Sequence, residues 1–142
     1  MVNNRLATRQ QARTAIEAID KLVVQNEQWN DRLKQLKSQV IDLSVRWRQL
    51  DPSAEAIARA IATELHDDVR TLVDIRESIY IRVGWGASHR RARSGVVDSH
   101  IDIVVSYAAR CVMMARELDQ TGTPEDEIEQ QIEEHVDELT IA

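Results

Sequence analysis

The sequence predicts an all-α protein: a four-helix bundle-like domain with a long N-terminal helix that carries a heptad pattern. Apolar residues recur at steps of three and four, the spacing that places them on one face of a helix. Residues 1–51 contain neither Gly nor Pro, and the four Gly and two Pro of the chain fall at four later places. The absence of Phe and the low aromatic content predict an aliphatic core.

The length of 142 residues is that of a single domain, predicted to span 1–142. Apolar residues make up 43% and charged residues 30% of the chain, a balance typical of folded proteins rather than disordered ones. The breakers divide the domain into predicted helices at about 5–50, 52–82, 95–120 and 124–140.

The first predicted helix carries an unbroken stripe with a heptad repeat, in which only Asn26 is polar. At 1.5 Å per residue this helix is roughly 70 Å long, which is more than a domain of this size covers. We therefore expect it to contact a second copy of the chain or another protein. The stripe comprises Ala12, Ala15, Ile19, Leu22, Asn26, Trp29, Leu33, Leu36, Val40, Leu43, Trp47 and Leu50. The residues predicted to bind the partner are Leu22, Asn26, Trp29, Leu33, Leu36, Val40 and Trp47.

Two packing arrangements fit this stripe. In a parallel coiled-coil dimer, Asn26 occupies a core position and fixes the register. In a bundle formed within one chain, Asn26 lies at the edge. Ile16 and Val23 widen the apolar face beyond a two-stranded seam, and Arg32 and Lys37 would meet with like charge across a parallel dimer. These features favour the bundle.

The second and fourth helices begin at residues typical of a helix start, and the third helix differs from them in its apolar surface. Asp51 and Pro52 suit the cap and first position of the second helix, and the Thr-Pro pair at 123–124 begins the fourth. The third helix, 95–120, is apolar on nearly every face, which predicts a central position in the bundle.

The charges are unevenly distributed. All 18 Lys and Arg lie within residues 1–116, whereas residues 117–142 hold ten acids and no basic residue. This acidic C-terminal segment is expected to form an amphipathic helix that docks on the body. Alternatively, it engages a basic partner.

A basic segment around residues 82–95 is predicted to be largely loop, because arginines at the start of a helix oppose its dipole. It combines the aromatic ring of Trp85, on which a base could stack, with several guanidinium groups, as sites for phosphate or nucleic acid do. The alternative is a solvated loop whose arginines pair with the acidic helix. The candidate anion- or nucleic-acid-binding residues are Arg82, Trp85, His89, Arg90, Arg91 and Arg93.

The stretch Glu-Leu-His-Asp-Asp-Val at 64–69 follows an Ile- and Ala-rich run at 57–62. It resembles the phospho-accepting box of one class of sensor histidine kinases, which lies on the first helix of a dimeric four-helix bundle. The resemblance implies that His66 accepts phosphate with Asp67 as the base. The chain departs from the family at 70–71, where Arg and Thr replace Gly and Gln, and no ATP-binding domain follows. Self-phosphorylation is therefore not expected.

Other catalytic and metal-binding patterns are missing from the sequence. It has no glycine-rich phosphate loop, and Cys111 is expected to be a small buried hydrophobe. His100 lies on the apolar third helix and is expected to be buried. The acids near His135 lack the spacing of a Glu-x-x-His pair or a calcium loop. We expect no enzyme activity, no metal and no cofactor.

The resulting hypothesis is a non-enzymatic protein-interaction protein, such as an assembly subunit, adaptor or inhibitor, that acts through the long N-terminal helix and forms a homo-oligomer. The first alternative is a nucleic-acid-associated small subunit that uses the basic segment 82–93. The second is a phosphotransfer bundle with His66. The N-terminal residues lack the apolar segment of a signal peptide, and no run of apolar residues is long enough to span a membrane, so neither feature is expected. A cytoplasmic location without a membrane partner is expected.

Overall fold

The computed structural model describes residues 2–82, 86–136 and 139; it does not describe the side chains of residues 2–7, 78–82 and 86–94. Within these ranges the chain forms five helices and no strand. The helices are α1 (Val2–Arg46), α2 (Ala54–Glu64), α3 (His66–Arg82), α4 (Gly86–Gln120) and α5 (Glu125–His135). The prediction of an all-α, bundle-like fold with a long N-terminal helix is confirmed.

The core lies between the C-terminal half of α1 and the other four helices. Helix α4 contacts each of the other four helices, in agreement with the central position predicted from its apolar surface. The buried core cluster is aliphatic except for Tyr107 and Cys111. Ile128 and Ile132 of α5 are fully buried, so the acidic helix docks on the body through its apolar face. The largest fully buried side chains include Tyr107, Leu36, Ile61, Leu72, Ile128 and Ile132.

The prediction of a single helix over 52–82 is wrong, because the helix is interrupted at Leu65. This residue caps α2 with φ −97° and ψ 13°, and α3 begins at the next position. No Gly or Pro marks the break. Asp67 and Asp68 fall in the first turn of α3, where carboxylates interact favourably with the helix dipole. The new N-terminus that the break creates therefore suits the local sequence.

The predicted loop at 82–95 is also wrong over most of its length, because α4 begins at Gly86 rather than at residue 95. The dipole penalty for arginines at a helix start is at most about 1 kcal/mol each on a solvated surface. Arg and Ala have high intrinsic helix propensity, which opposes that penalty. Two other ends differ from the prediction: α1 ends at Arg46 rather than 50, and α5 ends at His135 rather than 140.

The turn between α1 and α2 is held by two arginines. The Arg116 guanidinium donates to the carbonyl oxygens of Arg48 at 2.6 Å and Pro52 at 2.8 Å, and also to that of Asp51. Arg48 Nε donates to the Asp119 carboxylate at 2.7 Å. The end of α4 is thereby joined to the end of α1. Ser53, rather than Asp51, caps α2, accepting a hydrogen bond from a backbone N–H of the first turn.

Gly122 ends α4 in the left-handed conformation, with φ +79°. Its N–H donates to the Asp119 carbonyl, and the N–H of Thr123 donates to the Leu118 carbonyl. These two bonds form a Schellman motif, which favours glycine at this position because other residues are strained there. The reversal that follows turns α5 back onto the core.

Candidate protein-interaction surface

The first half of α1 extends beyond the packed bundle. Every side chain from Thr8 to Lys21 is exposed, and Leu22 is the first half-buried residue along the helix. We call residues 8–28 the arm. At 1.5 Å per residue the arm is about 30 Å long. A continuous helix therefore presents several turns to solvent.

One face of the arm is apolar. Ile16 and Ile19 are each 58% exposed and Val23 is 49% exposed. Together with Ala12 they follow steps of four, three and four, which places them along one side of a helix. We call these four residues the arm stripe. The structure therefore leaves an amphipathic helix face uncovered.

The exposed apolar side chains are concentrated on the arm. Among the described residues, four of the seven large hydrophobic side chains that are exposed lie between positions 16 and 24, and the other three are scattered over the turn after α1 and along α4. Val24, 52% exposed, is on the arm but outside the stripe. It lies about 110° around the helix from the centre of the stripe. Val24 is thus a matched control for the stripe.

The charges beside the stripe change sign along the arm. Residues 8–16 contain Arg9 and Arg13 and no acid. Residues 17–28 contain three acids and one lysine, a net charge of −2. The tip of the arm is therefore basic and its base is acidic.

The arm joins the bundle at Trp29. This side chain is half-buried against the core, and the guanidinium carbon of Arg76 in α3 lies 4.6 Å from the centre of its ring. The distance fits a cation–π contact. The Trp29 indole Nε1 is buried and donates no hydrogen bond. Beyond this point toward the C-terminus, α1 belongs to the bundle.

The predicted partner-binding residues fall into three groups. Leu36 and Val40 are 1% and 0% exposed and belong to the chain's own core, so they are not accessible to a partner. Trp29, Leu33 and Trp47 are partly buried and pack against that core. Leu22 is half-buried and Asn26 is exposed, both on the arm. The residues that the predicted set lacks are Ile16, Ile19 and Val23, although the sequence pattern had marked all three as apolar.

An open cleft of about 500 Å³ lies between α1 and α3 at the base of the arm. Its lining is mostly polar and mixes amide, carboxylate, guanidinium and hydroxyl groups. Among the described residues, the lining has no cysteine, histidine or serine, and its carboxylate and its hydroxyl belong to Asp31 and Thr71. The lining residues are Gln28, Asp31, Arg32, Gln35, Thr71 and Ile75.

The candidate anion-binding residues lie at the junction of α3 and α4. Arg82 is the last residue of α3, and His89, Arg90, Arg91 and Arg93 belong to the first turns of α4. The side chains of these five residues lie outside the described part of the chain, as does Trp85 as a whole. Nucleic-acid binding by this segment stays a prediction.

His66 is the first residue of α3 and is half-buried. The helix break at Leu65 divides the histidine-kinase-like box between α2 and α3. In the family that it resembles, the box lies within one helix. The run at 57–62 that precedes it carries buried core residues of α2. Phosphotransfer by His66 gains no support from this geometry.

The buried polar groups of α4 are not arranged for nucleophilic catalysis. Burial raises the pKa of the Cys111 thiol to about 11, and burial beside Cys111 also raises the pKa of the Tyr107 hydroxyl. The thiol is therefore protonated at neutral pH, whereas the nucleophilic form of cysteine is the thiolate. His100 is buried on the same helix, as predicted.

Neither a metal site nor a membrane-spanning helix is found in the part of the chain that the structure describes. No three His, Cys, Asp or Glu side chains within it are grouped as a metal would require. None of its helices combines the length and the apolar character needed to cross a bilayer. The cytoplasmic location stays a prediction.

No model of a known protein family matches the sequence, and comparison with curated proteins and with solved structures finds no match. The candidate interaction surface is therefore inferred from the geometry of this chain alone.

Proposed function

We propose that this chain is a non-enzymatic protein-interaction protein whose binding element is the arm. The observation that carries the proposal is the arm stripe: Ile16, Ile19 and Val23 are about half exposed on a helix that the bundle does not cover. Amphipathic helices commonly bind by laying their apolar face against a partner. An assembly subunit, an adaptor and an inhibitor would each use such a contact.

Helix energetics support this proposal. An isolated helix shorter than about 12–15 residues is marginal in water, and most helices are stabilised by packing of an apolar face. On the arm, that face is about half exposed and is left uncovered by the described part of the bundle. Completing the burial of a half-exposed Ile or Val contributes roughly 1 kcal/mol. A partner along the stripe would therefore stabilise both the arm and the complex.

Affinity capture with the tagged full-length chain tests the proposal. The double variant Ile16→Glu with Ile19→Glu places two charges in the stripe, whereas Val24→Glu places one on the arm outside the stripe. Wild type and Val24→Glu are expected to retain the same proteins, including untagged copies of the chain. The double variant is expected to lose them. Equal capture by all three proteins would show that the arm stripe is not the binding element.

A further inference from the structure

We propose that the arm stripe is covered by the same stripe of a second copy of this chain, running antiparallel to it. This inference rests on the proposed function and names the partner. The arm carries both a self-complementary apolar stripe and two regions of opposite charge along its length. An antiparallel pair places the basic tip of each copy beside the acidic base of the other.

The stripe packs on itself in one register. With Ile16 of one copy beside the partner's Ile19, Ala12 lies beside the partner's Val23. The two-fold axis repeats each contact, so the seam holds two Ile–Ile layers flanked by two Ala–Val layers. Small side chains face larger ones at both ends of the seam. This alternation fills the interface evenly along its length.

The flanking residues match in the same register. Arg13 lies beside the partner's Asp20 on the edge of the seam, and the two-fold axis again gives two such pairs. Arg9 lies at the end of the seam beside the partner's Asn26, whose side-chain carbonyl accepts hydrogen bonds. Arg9, Arg13, Asp20 and Asn26 are all exposed in the single chain. They are therefore available for these contacts.

A parallel pair matches poorly. In that orientation Arg9 meets its own copy at the end of the seam, and Ala12 meets Ala12 in a thin layer. Arg13 and Asp20 are seven residues apart, so they stay about 10 Å from each other along the parallel pair. Like charges then repel where the antiparallel pair has attraction.

The bundle leaves room for the antiparallel partner. The paired segment, residues 9–26, is about 26 Å long. Val23 lies near its bundle end and is 49% exposed, so the stripe face is open there. The two bundles lie at opposite ends of the paired arms. A seam of about five helical turns is short for a coiled coil, so we expect a concentration-dependent dimer rather than a permanent one.

Charge reversal combined with sedimentation of the full-length chain across micromolar concentrations tests both the dimer and its orientation. Arg13→Asp and Asp20→Arg each place two like-charge pairs across the antiparallel seam, and each is expected to raise the dimer Kd roughly tenfold. Mixing the two variants in equal amounts allows a heterodimer with only opposite-charge pairs across the seam, and is expected to restore dimerisation. The double variant Arg13→Asp with Asp20→Arg is expected to self-associate as wild type does.

Controls separate loss of the seam from loss of the fold. Both charge-reversed positions are exposed, so urea unfolding of each variant is expected to match wild type. Val24→Glu, off the stripe, is expected to keep the dimer. Failure of the mixed sample to recover would overturn the antiparallel register, as would dimer loss by Val24→Glu.

The same measurements distinguish this inference from the proposed function. A strictly monomeric wild-type chain overturns the antiparallel dimer. If the Ile16→Glu and Ile19→Glu variant then loses a different captured protein, the arm is still the binding element and the proposed function stands. If capture does not depend on the stripe either, both proposals fail.

Discussion

The guanidinium carbon of Arg76 lies 4.6 Å from the centre of the Trp29 ring, at the point where α1 leaves the bundle and becomes the arm. On the C-terminal side of this contact, the stripe of α1 is covered by the chain itself. On the N-terminal side, the arm stripe of the same helix faces solvent. The contact thus marks the boundary between the half of the helix that packs in the bundle and the half that we propose as the binding element.

The Trp29–Arg76 contact is expected to stabilise the fold modestly. A double-mutant cycle with Trp29→Ala and Arg76→Ala should give a coupling of about 0.5–1 kcal/mol in the free energy of unfolding, because the ring is only partly desolvated. Urea unfolding measures all four proteins. A coupling near zero would show that the two side chains are neighbours without an energetic contact.

Two isoleucines that undergo the same substitution should differ widely in their effect. Ile61→Ala removes a side chain that is 0% exposed and is expected to cost about 2–5 kcal/mol, through lost burial and the cavity left behind. Ile19→Ala changes a side chain that is 58% exposed and is expected to change stability by less than about 0.5 kcal/mol. The comparison is made at a concentration where the chain is monomeric. A large cost at Ile19 would mean that the arm packs on its own bundle.

The sequence predicted the α-helical class and the unbroken first helix because both depend on local periodicity and on the positions of Gly and Pro. It could not predict which half of that helix is covered. Val40 and Ile19 occupy equivalent positions of one heptad pattern, yet Val40 lies in the core and Ile19 in solvent. Periodicity identifies an apolar face, but the identity of the covering surface depends on the whole fold.

The errors in the helix boundaries have a related cause. The break at Leu65 has no Gly or Pro, and the start of α4 at Gly86 was obscured by arginines that disfavour a helix N-terminus. In both places weak local preferences act against each other. Tertiary packing decides which of these local preferences prevails, and the local sequence pattern does not indicate how the chain packs.

Arg116 is expected to be a main stabilising residue of the turn between α1 and α2. Arg116→Ala removes donors to three backbone carbonyls, those of Arg48, Asp51 and Pro52, and is expected to cost about 2 kcal/mol in unfolding free energy. Arg116→Lys should recover less than half, because an ammonium group lacks the planar fork. Arg59→Ala is the control: it breaks only an exposed pair within α2 and should change stability by less than about 0.5 kcal/mol. Similar losses at the two arginines would contradict the prediction.

The Arg48–Asp119 pair should make the free energy of unfolding depend on pH in the acidic range. The hydrogen bond from Arg48, joined by one from Gln49, holds the pKa of the Asp119 carboxyl below its usual value. A carboxyl whose pKa is lowered by folding stabilises the protein above its unfolded pKa, and this stabilisation is lost as pH falls through the folded pKa. The difference in unfolding free energy between wild type and Asp119→Asn should therefore be constant near neutral pH and shrink below about pH 4. A difference that persists in acid would assign the effect to packing instead.

Cys111 is expected to report global opening of the bundle. Burial raises the pKa of its thiol to about 11, so little thiolate forms at mildly alkaline pH and reagents cannot reach the side chain in the folded protein. Alkylation by iodoacetamide should therefore be slow in buffer and fast in urea, and its rate should follow the population of unfolded chain. Ile61→Ala, which weakens the core, should accelerate the reaction, whereas Ile19→Ala should not. Fast alkylation of the wild-type protein in buffer would instead reveal a local opening of α4 around Cys111.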